Sequence, residues 1–600
     1  MRHCRLAILL IMALVFLRAT ESFARPTVPQ IEEYIQQQRA KNLPVNLTEQ
    51  FGTNFSELFL SGLDLSGVNL SGANLREASL YGTNLKGANL SLCNLLQADL
   101  SASILDGANL SKVDLTDADI QEASLIKVNL NNANLKNAIL TSSNMQGAIF
   151  DGAKMDSSKL SESNLRGASF KNANMYGADL RRSDFTQVDF TGAYLESADL
   201  QNSNFEGAIF RLSDLTGTLL SGSVFEGADL SGADLKESIS YTANFKKANL
   251  SRANLSKASF LSSDMSNADM HAAILKETDL GNVKLDGANM NRVYLYGASS
   301  RGASLVRTYL RESNLTKADL YNANLLQASF YGSSLVATQL FNADLRSADL
   351  RHANMQQAAM VRSNLVGAKL NNASLWGATI RNTSMENTDI SGAVVKNMTL
   401  LRVTGLARIK DSLISRGAFF SVYSISDAVK KGVDLSSMNL DNLDMSGVNL
   451  VGAKMNNTSF IRSDLSGSDL SGAELVGADF SRSNLSGAKL QKANMLESVL
   501  DRANMTKARM EQANLKRASI IGADLFGVSL AGAYMVDSNL EGSNLEDALL
   551  YKTNLRYANI NRTSLENAIL YQAIVDNVRG ISKDAYKELK QKVLIKPKGK

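Results

Sequence analysis

Cysteine is nearly absent from this chain. Only Cys4 and Cys93 occur, and beyond residue 24 only Cys93 remains, which excludes an internal disulfide in that stretch. Histidine is as scarce: past residue 24 there are only His271 and His352, too far apart in sequence to suggest a metal cluster or a Ser-His-Asp set. Proline appears 4 times in 600 residues, so the chain is neither a polyproline segment nor a Pro-rich linker. No charge of one sign dominates. The formal net charge is +4; the ends 1–24 and 578–600 carry +2 and +6, which leaves the stretch 25–577 at −4. A body so close to neutral lacks the basic field of a nucleic-acid binder and the dense acidic field of a nucleic-acid mimic.

Long apolar runs are missing too, with one exception. Leu6–Leu17 is uninterrupted, preceded by Arg2 and Arg5 and followed by Ser22-Phe23-Ala24, whose small residues suit a cleavage site. Twelve apolar residues are too few to span a bilayer, which takes about 20. The pattern predicts a secretory signal peptide over 1–24 and an exported protein, periplasmic or secreted.

What the chain has in abundance is a period of five. From Leu60 nearly every residue whose number is a multiple of five is Leu, Phe, Met or Ile. Two places earlier stands a small residue, and Asn or Asp stands between, as in Ala73-Asn74-Leu75, Ala178-Asp179-Leu180 and Ala523-Asp524-Leu525. The phase holds from Leu60 to Leu400, lapses, and resumes unchanged from Val433 to Val578. Period five matches neither a helix nor an alternating strand. A chain that turns a corner every five residues can point the large and the small residue inward and leave three outside. Asn and Asp suit such corners because their side chains bond nearby backbone, and Gly, common two places after the large residue, relieves the turn.

Phenylalanine spacing counts the sides. Phe150, Phe170, Phe190 and Phe210 are twenty apart, and so are Phe185, Phe205, Phe225 and Phe245. Like residues form ladders when equivalent positions stack, so twenty residues, or four repeats, make one coil. The A-[DN]-L-x-x pattern resembles the pentapeptide repeat family, whose members form a right-handed quadrilateral β-helix. The handedness is implied by that resemblance. Ser240 and Ser300 depart from the pattern by replacing the large inward residue in one column, and each should leave a void, hold a water or kink the wall.

The expected fold class is therefore an all-β solenoid, a four-sided β-helix in two stacks with short capping helices; the kept phase also allows one continuous solenoid with a looped-out insertion. The expected segments are a signal peptide (1–24), an N-terminal cap (25–59), a first solenoid (60–404) of about 17 coils, a capping linker (405–432), a second solenoid (433–579), and a C-terminal capping helix with a basic tail (580–600). Pro29–Lys41, Leu406–Arg416 and Ser582–Leu594 are the helix-compatible covers, and Val422–Gly432 starts the second stack. Val403-Thr404-Gly405-Leu406 and Val578-Arg579-Gly580-Ile581 each put Gly where a large residue is due.

Catalytic residues, metal ligands and cofactors are not expected. Asp114, Asp117 and Asp119 read as corner residues, not as a calcium site. A wall of short side chains around a filled core has no pocket for catalysis. The expected function is a non-enzymatic exported binding scaffold for a protein or cell-envelope polymer. The resemblance implies one rival, a DNA mimic that binds a topoisomerase, and the neutral body and the apolar leader speak against it; an effector delivered into a host cell is a further rival that the sequence does not separate from the scaffold. The candidate contact residues are outward positions that break the polar rule. Tyr296, Val336 and Trp376 share one column; Tyr321, Phe341 and Val361 share the next, bracketed by Arg301 and Arg381. Residues 291–382 hold ten basic side chains against four acidic. Such a strip suits a foreign partner, a homodimer, the second solenoid folding back, or simply tolerated surface apolarity. The basic tail Lys583–Lys600 is read as solvated, with contact to acidic lipid as its other use.

Overall fold

Most corners of the solenoid are closed by one hydrogen bond and one unusual backbone angle; at a few, such as Ala123, the amide donates instead to a serine hydroxyl of the next coil. In the computed structural model, which describes residues 25–596, the amide of the small residue donates three places back to the large one, as in Ala88 N to Leu85 O at 3.0 Å. The second residue after each large one has positive φ, near 65° at Gly87 and near 58° at Lys112. That is the sign a tight turn of this kind demands at its third residue. Glycine takes it without strain, which accounts for its frequency there. The expected signal peptide lies outside the described residues.

Coils are joined by three backbone bonds per side, the third running from the positive-φ residue, as in Gly67 N to Lys86 O at 2.9 Å. The large residue's amide donates upward and the central residue's amide donates downward, as in Leu65 N to Asn84 O at 2.7 Å and Asn84 N to Leu63 O at 2.9 Å. Every pairing is parallel, and from Asn54 onward each is twenty residues apart, for example Asn54 with Asn74 and Asp524 with Asn544, so the coil is four-sided. The central Asn or Asp serves twice. Asn109 Oδ1 accepts from Ser111 N at 3.2 Å, while its amide donates to Asn89 Oδ1 at 3.2 Å and its oxygen receives Asn129 Nδ2 at 3.1 Å. These amide ladders tie coil to coil at the surface, as the backbone does beneath.

The chain divides into two compact units, 1–314 and 315–600. In the first, helix α1 (Val28–Ala40), capped by Thr27, buries Ile31 and Ile35, and the short helix α2 (Leu47–Phe51) buries Leu47. The core is a column of large residues, all but solvent-free. Its two phenylalanine ladders stack at 4.6–5.1 Å with nearly parallel rings from Phe150 to Phe210 and from Phe185 to Phe245. The ladders also touch each other, Phe205 meeting Phe210 edge-on at 5.5 Å. Ser240 is fully buried, and its hydroxyl has no hydrogen-bond partner among the described residues. The wall does not kink there: Ser240 N still donates to Ser259 O at 2.7 Å.

The second unit continues the pattern and then breaks it. Three short strands, β1 (Ala359–Val361), β2 (Thr379–Arg381) and β3 (Thr399–Leu401), pair in parallel on one face. Helix α3 (Lys410–Ser415) buries Leu413, and the backbone returns to bond the last coil through Leu400 N to Phe419 O at 2.6 Å. Helix α4 (Val422–Lys430), capped by Ser421, places Ile425 and Ala428 in the core of a second stack that runs from Leu435 to Val575. Helix α5 (Lys583–Lys592) closes that stack with Leu589 over Leu545, Leu555 and Ile560. The two glycines that replace large residues sit against backbone. A Cβ on Gly405 would lie 2.6 Å from Met385 C, and one on Gly580 2.7 Å from Asn561 N.

Candidate partner-binding walls

Three of every five side chains face outward, and equivalent ones stack in columns. The structure places the candidate residues on such columns and in different units. Tyr296 and Arg301 belong to the first unit, where Tyr296 lies half-buried against Tyr294 with nearly parallel rings 6.1 Å apart. The second unit holds the other six. Tyr321 is exposed, and its hydroxyl receives Asn342 Nδ2 at 3.4 Å; Val336, Phe341, Val361, Trp376 and Arg381 are half-buried. Backbone rungs Asn322 N to Phe341 O and Asn342 N to Val361 O, at 2.9 and 2.8 Å, confirm that Tyr321, Phe341 and Val361 lie one coil above another.

Trp376 and Arg381 flank a joint inside the second unit. Gln357 Nε2 donates to Ser437 O at 2.6 Å, Thr379 Oγ1 to Asn439 O at 2.5 Å, Asn397 Nδ2 to Asp434 O at 3.0 Å, and Arg381 to Asn442 O. Ala359, Thr379 and Thr399, at a position elsewhere half-exposed, are covered. Arg381 therefore does not bracket a free strip. The first coil of the second stack has no coil beneath it, so its carbonyls take donors from this face. Tyr321, Val336, Phe341 and Val361 remain as a wall.

A second apolar strip escaped the reading of the sequence. Near the end of the second stack Tyr551 and Tyr571 stack at 6.0 Å with Lys552 Nζ 5.1 Å over the first ring, and Ile569 and Ile574 are each 38% exposed beside them in sequence. The signal was the same one, apolar residues in outward positions; it simply recurs beyond 291–382.

Nothing in these walls offers nucleophilic or metal chemistry. Cys93 is buried, its thiol donates to Leu70 O at 3.0 Å, and burial pushes its pKa up to about 12. A thiol held protonated is a poor nucleophile. Asp114 accepts from Thr116 N and Oγ1, Asp117 from Asn137 Nδ2 and Asp119 from Gln121 N, so these carboxylates serve corners and rungs. Among the described residues no three His, Cys, Asp or Glu side chains gather as a metal site, and no helix is long and apolar enough to cross a membrane.

The sequence profile described as pentapeptide repeats matches the chain between residues 53 and 397 and again between 431 and 572. The chain belongs to the pentapeptide repeat family. Its fold is that family's right-handed quadrilateral β-helix, and members are generally non-enzymatic structural or binding proteins. Solved pentapeptide repeat structures resemble parts of it. Full-length QnrB1, a plasmid-mediated fluoroquinolone resistance protein, is 18% identical over 36% of this chain and 96% of its own, with a TM-score of 0.19. HetL, involved in heterocyst differentiation regulation in the cyanobacterium Nostoc, is 21% identical over 44% and 89%, with a TM-score of 0.15. A protein of the Arabidopsis thaliana thylakoid lumen is 21% identical over 21% and 81%, with a TM-score of 0.11. No curated protein sequence matches the chain.

Proposed function

We infer that this pentapeptide repeat protein is an exported, non-enzymatic binding scaffold. The wall carrying Tyr321, Val336, Phe341 and Val361 is the surface it presents to a protein or envelope partner. The observation that carries this reading is the stacking of Tyr321, Phe341 and Val361 on successive coils, in outward positions that elsewhere usually hold Ser, Lys, Thr, Asp or Glu. Rigid aromatic side chains on a preformed surface lose little entropy on binding and dominate interface energies. Export rests on the apolar leader Leu6–Leu17 and the small residues before Arg25. Mimicry of duplex DNA would need a dense acidic surface, and residues 25–577 sum to only −4.

Two measurements test the reading. Cell fractionation with mass spectrometry should find the chain outside the cytoplasm, beginning at or near Arg25; an uncleaved cytoplasmic chain overturns export. A photo-crosslinker at Phe341 should capture one discrete partner in intact cells, and a crosslinker at Gly62, in the other unit, should not. Equal labelling from both positions overturns the wall.

A further inference from the structure

The corner position two places after each large residue follows a rule of charge in this fold. Where a cation stands there and a charged residue stands at the same position one coil away, the two are opposite. Arg182 pairs with Glu162 at 3.2 Å, Arg292 with Glu312 at 2.9 Å and Arg517 with Glu497 at 3.2 Å. All three pairs are twenty residues apart, the repeat of the backbone rungs.

One column breaks that rule. Arg462, Arg482 and Arg502 occupy this position on three successive coils, exposed and joined by the rungs Arg462 N to Ser481 O and Arg482 N to Asp501 O at 3.0 and 2.9 Å. They stand about 4.8 Å apart along the stack. None of the three guanidinium groups makes a hydrogen bond or ion pair with a described residue. The nearby Asp441, whose charge feels Arg462, is committed to Ser459 Oγ and Ile461 N. Like charges on adjacent strands repel, so this column is held against its own electrostatics.

The column does not stop at the base of the stack. Below Arg462 stands Asn442, whose amide bonds Ile461 O at 2.9 Å and whose carbonyl receives Arg381. Arg381 in turn feels Arg362 and Arg402 as like charges. Arg381 and Arg402 line a cleft with Phe420, Leu443 and Asp444, and Asp444 is tied to Ser446 N and Oγ at 3.2 and 2.7 Å. Arg362, Arg381 and Arg402 thus gather at the joint, with Arg381 reaching the backbone of Asn442 one coil below Arg462.

We propose that this track binds a linear polyanionic glycan, with the guanidinium ladder of Arg462, Arg482 and Arg502 reading acidic groups that recur along the polymer. Planar guanidinium forks suit carboxylate oxygens two at a time. The neighbouring outward side chains include Ser481, Asn484 and Asn504, hydroxyl and amide groups matched to sugar hydroxyls; the carboxylates beside them, Asp464 and Asp501, are taken up by Ser466 N and Asn484 Nδ2 and by Ser519 Oγ and Ile521 N. Coils 461–505 carry no outward aromatic ring, so they lack the stacking platforms that single-stranded nucleic acid uses. The ladder of Arg462, Arg482 and Arg502 belongs to the second stack and not to the Phe341 column, so it stands or falls independently of that wall.

The test titrates the full chain with polygalacturonate, which has a carboxylate on every sugar, and with its methyl ester, duplex DNA and polyglutamate as comparators. The triple variant Arg462→Gln, Arg482→Gln, Arg502→Gln is set against Arg166→Gln, Arg182→Gln, Arg211→Gln, which removes the same charge from paired arginines. Wild type and the second triple should bind polygalacturonate in a salt-sensitive way and ignore the ester. The first triple should lose about tenfold or more in affinity and most of the salt dependence. Its thermal midpoint should hold or rise, because repulsion is relieved. Binding by the first triple within about twofold of wild type, equal loss in both triples, or a preference for DNA or polyglutamate overturns the proposal.

Discussion

Asn397 donates its side-chain amide to the carbonyl of Asp434, 37 residues on, at 3.0 Å. Within a stack the carbonyl at that position accepts from the coil beneath, as Asn84 O does from Leu65 N. Asp434 begins a stack and has no coil beneath. Asn397 supplies the missing donor, and Thr379 does the same for Asn439 O. The joint is an edge-satisfaction device: side chains on one finished face stand in for a coil. Thr379→Val keeps the shape and removes the donor. It should cost about 1–3 kcal/mol, the penalty of an orphaned buried acceptor. Chemical denaturation that shows no loss would mean water reaches Asn439 O.

The Gly405 and Gly580 positions should be intolerant of any side chain. Both have φ of 87°, and a Cβ on either would press into backbone twenty or so residues earlier, Glu386 Cα at 2.6 Å for Gly405 and Asn561 N at 2.7 Å for Gly580. Gly62 has positive φ but open space around it. Gly62→Ala should cost about 1 kcal/mol from the backbone angle alone, and Gly405→Ala more than about 3 kcal/mol. Thermal unfolding of the two variants side by side checks the difference.

The ladders make a sharper claim about the core. Phe190 is solvent-free and stacked between Phe170 and Phe210 at 5.1 and 4.7 Å. Its backbone rungs prevent the coils from closing on a gap, so Phe190→Ala should cost about 3–5 kcal/mol. Phe59→Ala, at a position 81% exposed, should cost little. Equal midpoints for both variants would contradict the inward ladder.

The period of five and the twenty-residue spacing of phenylalanine made the coil and its four sides legible in the sequence, because each is dictated locally by a turn or a stacked ring. Helix limits were less legible. Of Leu406–Arg416 only Lys410–Ser415 is α-helical, since Gly405 still packs on the coil below and Leu406 still turns inward. Val422–Gly432 likewise starts the second stack as a helix and not as a coil. The joint could not be read at all. Gln357, Thr379 and Asn397 are ordinary outward polar residues, and what singles them out is a set of unpaired carbonyls on a distant coil. The same gap misplaced Arg381, an exposed arginine by its position and a joint residue by its contact.

Ser240 should be improvable. Its hydroxyl is buried without a hydrogen-bond partner among the described residues, in a column where Leu220 and Phe260 flank it one coil away on each side. Ser240→Ala removes the desolvated hydroxyl and should raise stability by about 1 kcal/mol. A lower unfolding midpoint would show that the hydroxyl is satisfied by water.

Asp441 carries the clearest pH signature, and its sign is opposite to that of most carboxylates here. At Asp179 the Arg181 guanidinium holds the carboxyl below its usual range, so that group stabilises the fold above the unfolded pKa and the contribution fades as pH falls through the folded one. Asp441 is raised instead, first by burial and further by the like charge of Asp479, against hydrogen bonds from Ser459 Oγ and Ile461 N and the pull of Arg462. With the folded pKa above the unfolded one, its ionised form is penalised at neutral pH. The penalty shrinks as pH falls through the folded value, and it is gone below the unfolded one. Asp441→Asn keeps an oxygen for Ser459 and Ile461 and removes the charge. It should raise the thermal midpoint at pH 7, with a gain that diminishes steadily toward pH 4. A gain independent of pH would assign the effect to packing, and a loss at pH 7 would mean that attraction to Arg462 outweighs burial.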